Sequence, residues 1–384
     1  MKSIVMGVYQ TKFGELWERG LSDLLEEAGR GAMADANVEA NEVDLAIVGN
    51  KLAGKVVGQD HLGALVSETL GIIAPTFRVE AACASGGVAV HQAIAAVAAG
   101  QAECVLVIGV EKMTDVTGEA ITQALMGAAS AVERAAGLSF VGLYALMARA
   151  YLDEFGAGEV DLARVAVKNH FHGSMNDKAQ FPFEISEEAV LRSAMVAEPL
   201  KLLDCSPVTD GAAAVVIASE RFARRKGVNG RGIKVMASKL ASESLSLLKR
   251  EKLTEIDSTK RAAAGAYQQA SLGPGEIDLA EVHDCFTIAE ILAVEDLGFY
   301  EKGKGYVVAG NGEVRLGGKR PINLSGGLKA CGHPVGATGV KQVVEVVTQL
   351  RGVAGKRQVD RARIGLTHNV GGTGGTVAVH IFGI

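Results

Sequence analysis

Leu21, Leu24, Leu25, Ala28 and Ala32 recur at steps of three and four residues, the spacing of one helix face. The stretch that follows, Glu42-Val43-Asp44-Leu45-Ala46-Ile47-Val48-Gly49-Asn50, holds an apolar run too short for a helix and reads as a turn and a strand. The same order returns later in the chain. Ala262, Ala263, Ala266, Tyr267 and Ala270 share a helical face, and Glu276-Ile277-Asp278-Leu279-Ala280-Glu281-Val282-His283-Asp284 follows the first run closely. Each copy then continues with a glycine-bearing turn, an apolar helix and a β-branched strand. In the first these are Cys83-Ala84-Ser85-Gly86-Gly87, a helix through Ala99, and Cys104 to Gly109. In the second they are Gly332-His333-Pro334-Val335-Gly336-Ala337-Thr338-Gly339, a helix through Leu350, and Arg363 to Thr367. Strands such as Val105 to Ile108 are apolar at successive positions, which suits a sheet covered on both faces.

An α/β protein of two similar halves is predicted. Thr114 to Pro199 has a different texture, with alternating helical and polar stretches, Phe171, Phe181 and Phe183, and His170-Phe171-His172. Beyond it, Asp210 to Ala218 again reads as a turn leading into a buried strand, so the segment interrupts the first half. The expected division is 1–113 plus 200–235 for the first half, 114–199 for an inserted lid or substrate domain, and 236–384 for the second half.

Composition narrows the function. The 384 residues are 48% hydrophobic and 22% charged, enough to bury a large core. A net charge of −5 with both signs interspersed leaves no basic stripe for nucleic acid or an anionic membrane. Ala81 to Ala102 carries no charge, but Cys83, Ser85, His91, Gln92, Gln101 and a Gly-Gly pair make it a buried soluble helix rather than a membrane span. Met1 to Gly7 reads as the start of a strand, not as a signal peptide. Cys83, Cys104, Cys205, Cys285 and Cys331 are odd in number and form no C-x-x-C pair, which argues against a disulfide framework or a structural zinc and for a reducing cytoplasm.

Cys83 stands where an apparent strand, Thr76 to Ala81, breaks into the alanine-rich helix. A thiol there meets unpaired N–H groups and the positive end of the helix dipole, which favours a nucleophilic thiolate; the alternative is a small buried hydrophobe. His333, in a turn bracketed by Gly332 and Pro334, opens the matching helix of the other half. If the halves are related by a pseudo-two-fold axis, the two helix starts meet and form a Cys/His pair of the kind used in acyl transfer. His283-Asp284-Cys285-Phe286-Thr287 ends the repeated strand, where Asn50 and its neighbours carry no such groups, so His283 and Cys285 are in excess of what the strand needs. As metal ligands His283, Cys285 and Cys331 are too sparse a set. Asn369-Val370-Gly371-Gly372-Thr373-Gly374-Gly375 precedes the last strand and so is no dinucleotide loop; its N–H groups suit an oxyanion, or it is a plain turn. His170 and His172 stay undecided.

Together, Ala82-Cys83-Ala84-Ser85-Gly86-Gly87, His283-Asp284-Cys285-Phe286, Asn323-Leu324-Ser325-Gly326-Gly327, Gly332 to Gly339 and Asn369-Val370-Gly371-Gly372 resemble the thiolases, in order and over nearly the whole chain, most closely the archaeal and sterol-carrier-protein-type branch. The resemblance implies a five-layered αβαβα fold of two halves with an inserted loop domain. It implies Cys83 as the acyl-accepting nucleophile and His333 as the group that activates it. His283 would stand where many thiolases place an Asn of the enolate oxyanion hole, and Gly371 with the backbone of Cys83 would form the hole for the acyl-enzyme carbonyl. Many thiolases carry an acid/base Cys in a C-x-G turn. Here that place reads Asn369-Val370-Gly371, and Cys285 would replace it. The reaction implied is acyl transfer between CoA thioesters, with CoA as substrate and no metal or redox cofactor. Retro-aldolase, ketoacyl synthase and non-catalytic acyl-CoA scaffold are the alternatives. Family-level partners are a second copy, as a homodimer or dimer of dimers with Cys104 to Val110 as candidate edge strand, and an assembly with hydroxymethylglutaryl-CoA synthase through an OB-fold protein bearing a zinc ribbon.

Overall fold

The structure is a computed structural model that describes residues 3–227 and 232–384, so Met1, Lys2 and 228–231 of the expected first half lie outside the described residues. The first half runs β1 (Ser3–Gln10), α1 (Leu21–Ala36), β2 (Leu45–Gly49), α2 (Leu62–Leu70), β3 (Thr76–Val79), α3 (Ser85–Ala98) and β4 (Cys104–Glu111). The intervening segment carries α4 (Phe140–Phe155) and α5 (Glu159–Gly173), and β5 (Gly211–Ser219) follows. The second half runs β6 (Ile233–Ser242), α6 (Asp257–Ala270), β7 (Leu279–Glu281), α7 (Thr287–Asp296), α8 (Thr338–Leu350), β8 (Ile364–Gly371) and β9 (Thr376–Gly383).

Strand order shows the duplication. The described strands pair as β3-β2-β4-β5-β1-β6-β9-β8-β7. On one side β3, β2 and β4 are parallel and β5 and β1 antiparallel. On the other, Ile322 bridges to Ala280 of β7, β7 and β8 are parallel, and β9 and β6 antiparallel. The two successions match strand for strand. They join where, among the described residues, β1 and β6 pair through Ile4↔Lys234 and Val5↔Ile233.

Side chains alternate across each strand and so define the layers. Leu106, Ile108 and Val110 of β4 pack with α1 and α2, whereas Val105 and Val107 face the middle, with Val90 of α3 and Val343 of α8. In the second half Val377, Val379 and Ile381 of β9 pack with α6 and α7, and Phe382 faces the middle. Helix, sheet, helix, sheet, helix gives the five layers. Burial on both faces is why these strands read as unbroken apolar runs. One expectation is corrected: Cys104 to Val110 is no edge strand. β4 lies between β2 and β5 with every residue buried: its apolar side chains report cover on both faces, and the flanking strands are set by tertiary pairing. The edge of this half is β3, whose Phe77 is 44% exposed. The uncharged stretch from Ala81 becomes α3, and among the described residues no helix is long and apolar enough to cross a membrane.

The central helices touch through glycine. A Cβ on Gly339 would lie 2.2 Å from the Gly87 nitrogen, and one on Gly86 would lie 2.7 Å from the Gly336 oxygen. Backbone meets backbone, so neither can yield. Gly339→Ala should therefore cost about 3 kcal/mol or more, read as a lowered urea midpoint or loss of soluble protein; a wild-type midpoint would refute the close crossing. The inserted segment interrupts the first half in sequence, yet Tyr144, Met147 and Leu162 pack on Ile288 and Leu292 of the second. It thereby roofs the junction of the halves.

Candidate active site

Cys83 sits in the turn between β3 and α3. Ala82, with φ 52°, is a non-glycine residue in the left-handed region, and Ser85 Oγ locks the turn by accepting from Ala81 N–H and donating to the Ala82 carbonyl. The glycine crossing of α3 and α8 then brings in the start of the other half. Cys83 Sγ and ring nitrogens of His283 and His333 all lie within 4.8 Å of one another. The two imidazoles meet edge to face at 5.1 Å. Cys83, His333 and Cys285 line one cavity of about 190 Å³, walled by Met113, Phe140 and Phe286.

Hydrogen bonds assign the two tautomers. Asn369 Oδ1 accepts from Gly87 N–H at 3.1 Å, which turns its amide nitrogen toward the Cys83 carbonyl at 3.0 Å and His283 Nδ1 at 3.2 Å. His283 Nδ1 is thus an acceptor, its hydrogen sits on Nε2, and Nε2 is buried with no partner among the described residues. An unpaired donor in this position is free for an oxygen of a substrate. His333 is the converse. Thr338 Oγ1 donates to the Pro334 carbonyl and accepts from His333 Nδ1 at 2.7 Å, which leaves Nε2 with a lone pair. Burial, then Lys341 and Lys51, hold the His333 pKa down at about 3, so the ring is a neutral base. Burial chiefly, then His333, holds His283 well below its ordinary value too.

Both sulfurs depart from a simple expectation. The helix end does not make Cys83 a resting thiolate: burial pushes its pKa up, opposed by Lys51 and by the Gly372 N–H. It is a thiol that needs a base. The loop amide that helps to lower the Cys83 pKa is that of Gly372, while Gly371 closes β8 opposite Thr376. Cys285 is pushed well above its usual range by burial and then by the charge of Cys83, and the Tyr144 hydroxyl opposes the rise. Its turn is anchored from several elements: Asp284 accepts from Leu328 N–H and Asn169 Nδ2, both at 2.7 Å, and the Cys285 carbonyl accepts from Ser206 N–H at 2.9 Å.

The sulfur and two imidazoles are close enough to hold a soft cation, but Asn369 keeps a hydrogen on His283 Nε2, so the trio offers fewer lone pairs than its spacing suggests. His170 and His172 are structural. His172 donates through Nδ1 to the Asn323 carbonyl and accepts from Leu316 N–H, while His170 Nδ1 meets the Phe183 carbonyl. Sequence reasoning passed over Asn369 as an organiser, and also Thr338, Tyr144 and the cavity-lining Cys205. Only the N-x-G departure from the C-x-G turn pointed at Asn369.

A family model for the thiolase N-terminal domain matches residues 3–221, and one described as thiolase C-terminal domain-like matches 240–384. The chain belongs to the thiolase family. It is 51% identical to an acetyl-CoA acetyltransferase of Methanothermobacter thermautotrophicus over 98% of each chain. It is 35% identical to human sterol carrier protein 2, over 98% of this chain and 71% of that protein. Among solved structures, the Ltp2-ChsH2(DUF35) aldolase is similar with a TM-score of 0.86 and 26% identity, covering 100% of this chain and 97% of that one. In this thiolase the Asn369 amide holds Gly87, Cys83 and His283 at once.

Proposed function

We propose that this thiolase condenses two acetyl-CoA molecules to acetoacetyl-CoA, or cleaves a 3-ketoacyl-CoA with free CoA, in two half-reactions. The meeting of Cys83, His283 and His333 within 4.8 Å carries the reading. First, His333 Nε2 takes the Cys83 proton, the sulfur attacks the thioester carbonyl, and the bond to CoA breaks. Cys285 gives its proton to the departing CoA sulfur. The amide of Cys83 with that of Gly371 or Gly372 holds the carbonyl oxygen. The acyl-enzyme now carries an imidazolium at His333 and a thiolate at Cys285, and acylated Cys83 can no longer take up the charge that would oppose this thiolate.

A second acetyl-CoA then binds. Cys285 removes its α-proton while His283 Nε2–H and His333 Nε2–H hold the enolate oxygen, and the enolate carbon attacks the acyl group. Collapse expels the Cys83 sulfur, which recovers its proton from His333, so protons balance over the cycle. Incubation with acetyl-CoA followed by peptide mapping tests the reading. Acetyl on Cys83 that free CoA removes is the expected result; no adduct with any acyl-CoA would overturn it and favour the aldolase chemistry named for the Ltp2 relative.

The open edge of β3 supports a second copy, as a dimer or dimer of dimers. The DUF35 component named with the Ltp2 structure supports a partner protein; the family resemblance would make it a small OB-fold protein bearing a zinc ribbon, with hydroxymethylglutaryl-CoA synthase beyond it. The inserted segment lines the cavity with Phe140 and Tyr144, which supports a role in holding the nucleotide arm of CoA. Five free cysteines suit a reducing cytoplasm.

A further inference from the structure

Tyr144 projects from α4 of the inserted segment into the cavity that holds both sulfurs. Its ring is 1% exposed and lies against Phe286, the neighbour of Cys285, with centroids 4.8 Å apart. Its hydroxyl donates to the Gly372 carbonyl at 3.0 Å and stands close enough to the Cys285 side chain to lower the pKa of that thiol. One hydrogen thus has two acceptors, the carbonyl of the loop whose amide faces Cys83 and the sulfur of Cys285. Burial first, and then the charge of Cys285, push the phenol well above its ordinary pKa, so it stays a donor at every working pH.

We infer that Tyr144 is a positioning residue for Cys285, its hydroxyl hydrogen pointing to the Gly372 carbonyl while Cys285 is a thiol and turning onto the sulfur when it becomes a thiolate. The inference rests on Cys285 as the acid/base group. The sulfur needs such a donor because its surroundings oppose its charge. Burial first, and then Cys83 and Asp284, raise its pKa, and Tyr144 and the Phe286 N–H lower it. Arg250 faces the phenol rather than the thiol, and His283 and His333 face Cys83. Without the hydroxyl the imidazolium–thiolate pair left by acylation collapses back to neutral groups, and the base for the α-proton is lost. No bond is made or broken by the tyrosine itself.

Tyr144→Phe keeps the ring on Phe286 and removes only the hydroxyl. The release of CoA in a single acylation turnover should fall about threefold or less, because CoA can also leave as its own thiolate without the Cys285 proton, while condensation, which needs the Cys285 thiolate as base, should fall about ten- to a hundredfold, the scale of a hydrogen bond to a charged group. The rising limb of the condensation pH profile should move up by about one unit, because the thiolate forms less readily. Equal loss in both half-reactions with an unmoved limb, or no loss, would overturn the inference. If the variant does not fold, fluorotyrosine at 144, a stronger donor, should move the limb to lower pH; no movement would again overturn it. Cys285→Ala separates the two readings. If it still condenses, the assignment of Cys285 falls. If it does not, while Tyr144→Phe behaves as wild type, only the role of Tyr144 falls.

Discussion

Cys83→Ala is expected to lower the rate in both directions by on the order of 10⁴- to 10⁶-fold, the scale seen when an enzyme loses its covalent nucleophile. The change is small in volume and leaves the turn intact, since Ala82 and Ser85 set its shape through backbone and hydroxyl contacts. Acyl-CoA binding should therefore persist, and a binding assay beside initial rates separates lost chemistry from lost fold. The expected pattern is unchanged affinity with no acyl-enzyme. A variant that kept about a tenth of the wild-type rate would mean that transfer does not pass through this sulfur. The size of the effect follows from the electrostatics as well as the connectivity. His333 stays neutral down to about pH 3 because it is buried beside Lys341 and Lys51, so a base stands ready for the raised Cys83 thiol throughout the working range. Nothing else in the trio could accept that proton, because His283 Nδ1 is occupied by Asn369.

Asn369→Asp should be almost as damaging although it barely alters size. A carboxylate can still accept from Gly87 N–H, but it cannot donate to the Cys83 carbonyl or to His283 Nδ1. His283 would then place its hydrogen on Nδ1 to satisfy the new acceptor. Its Nε2, which otherwise offers an unpaired N–H, would face the enolate oxygen with a lone pair. Reversal of a catalytic tautomer or loss of an oxyanion donor costs on the order of 10²- to 10⁴-fold. The loss should be greater in condensation than in acylation of Cys83. Nitrogen NMR of labelled histidine reads the tautomer directly. Full condensation activity with the hydrogen moved to Nδ1 would show that His283 does not hold the enolate.

The halves were legible because hydrophobic patterning is local. Leu21 to Ala32 and Ala262 to Ala270 show one buried face each, and the unbroken apolar run of β4 reports burial on both sides of its sheet. The same run misled on position, since it says that both faces are covered but not which strands lie beside it. Burial of charge was harder to read. Lys341, in the central α8, is fully enclosed with Glu281 at 3.0 Å, and a lysine in a helical pattern looks like a solvated residue until its partner, far off in sequence, is found. Asn369 was hidden for a related reason. An amide in a strand carries no chemistry of its own, and its worth lies in three partners drawn from both halves.

What the chain alone determined is its duplicated α/β plan and the residue types that reach the junction, because both depend on spacing along the backbone. Only the tertiary structure decided how those residues act. The glycine contacts between α3 and α8 set the distance between Cys83 and His333, Asn369 and Thr338 set which ring nitrogen bears hydrogen, and burial turned an expected thiolate into a thiol. Proton position and charge state depend on solvent exclusion and on partners hundreds of residues away, and neither is a property of a local segment.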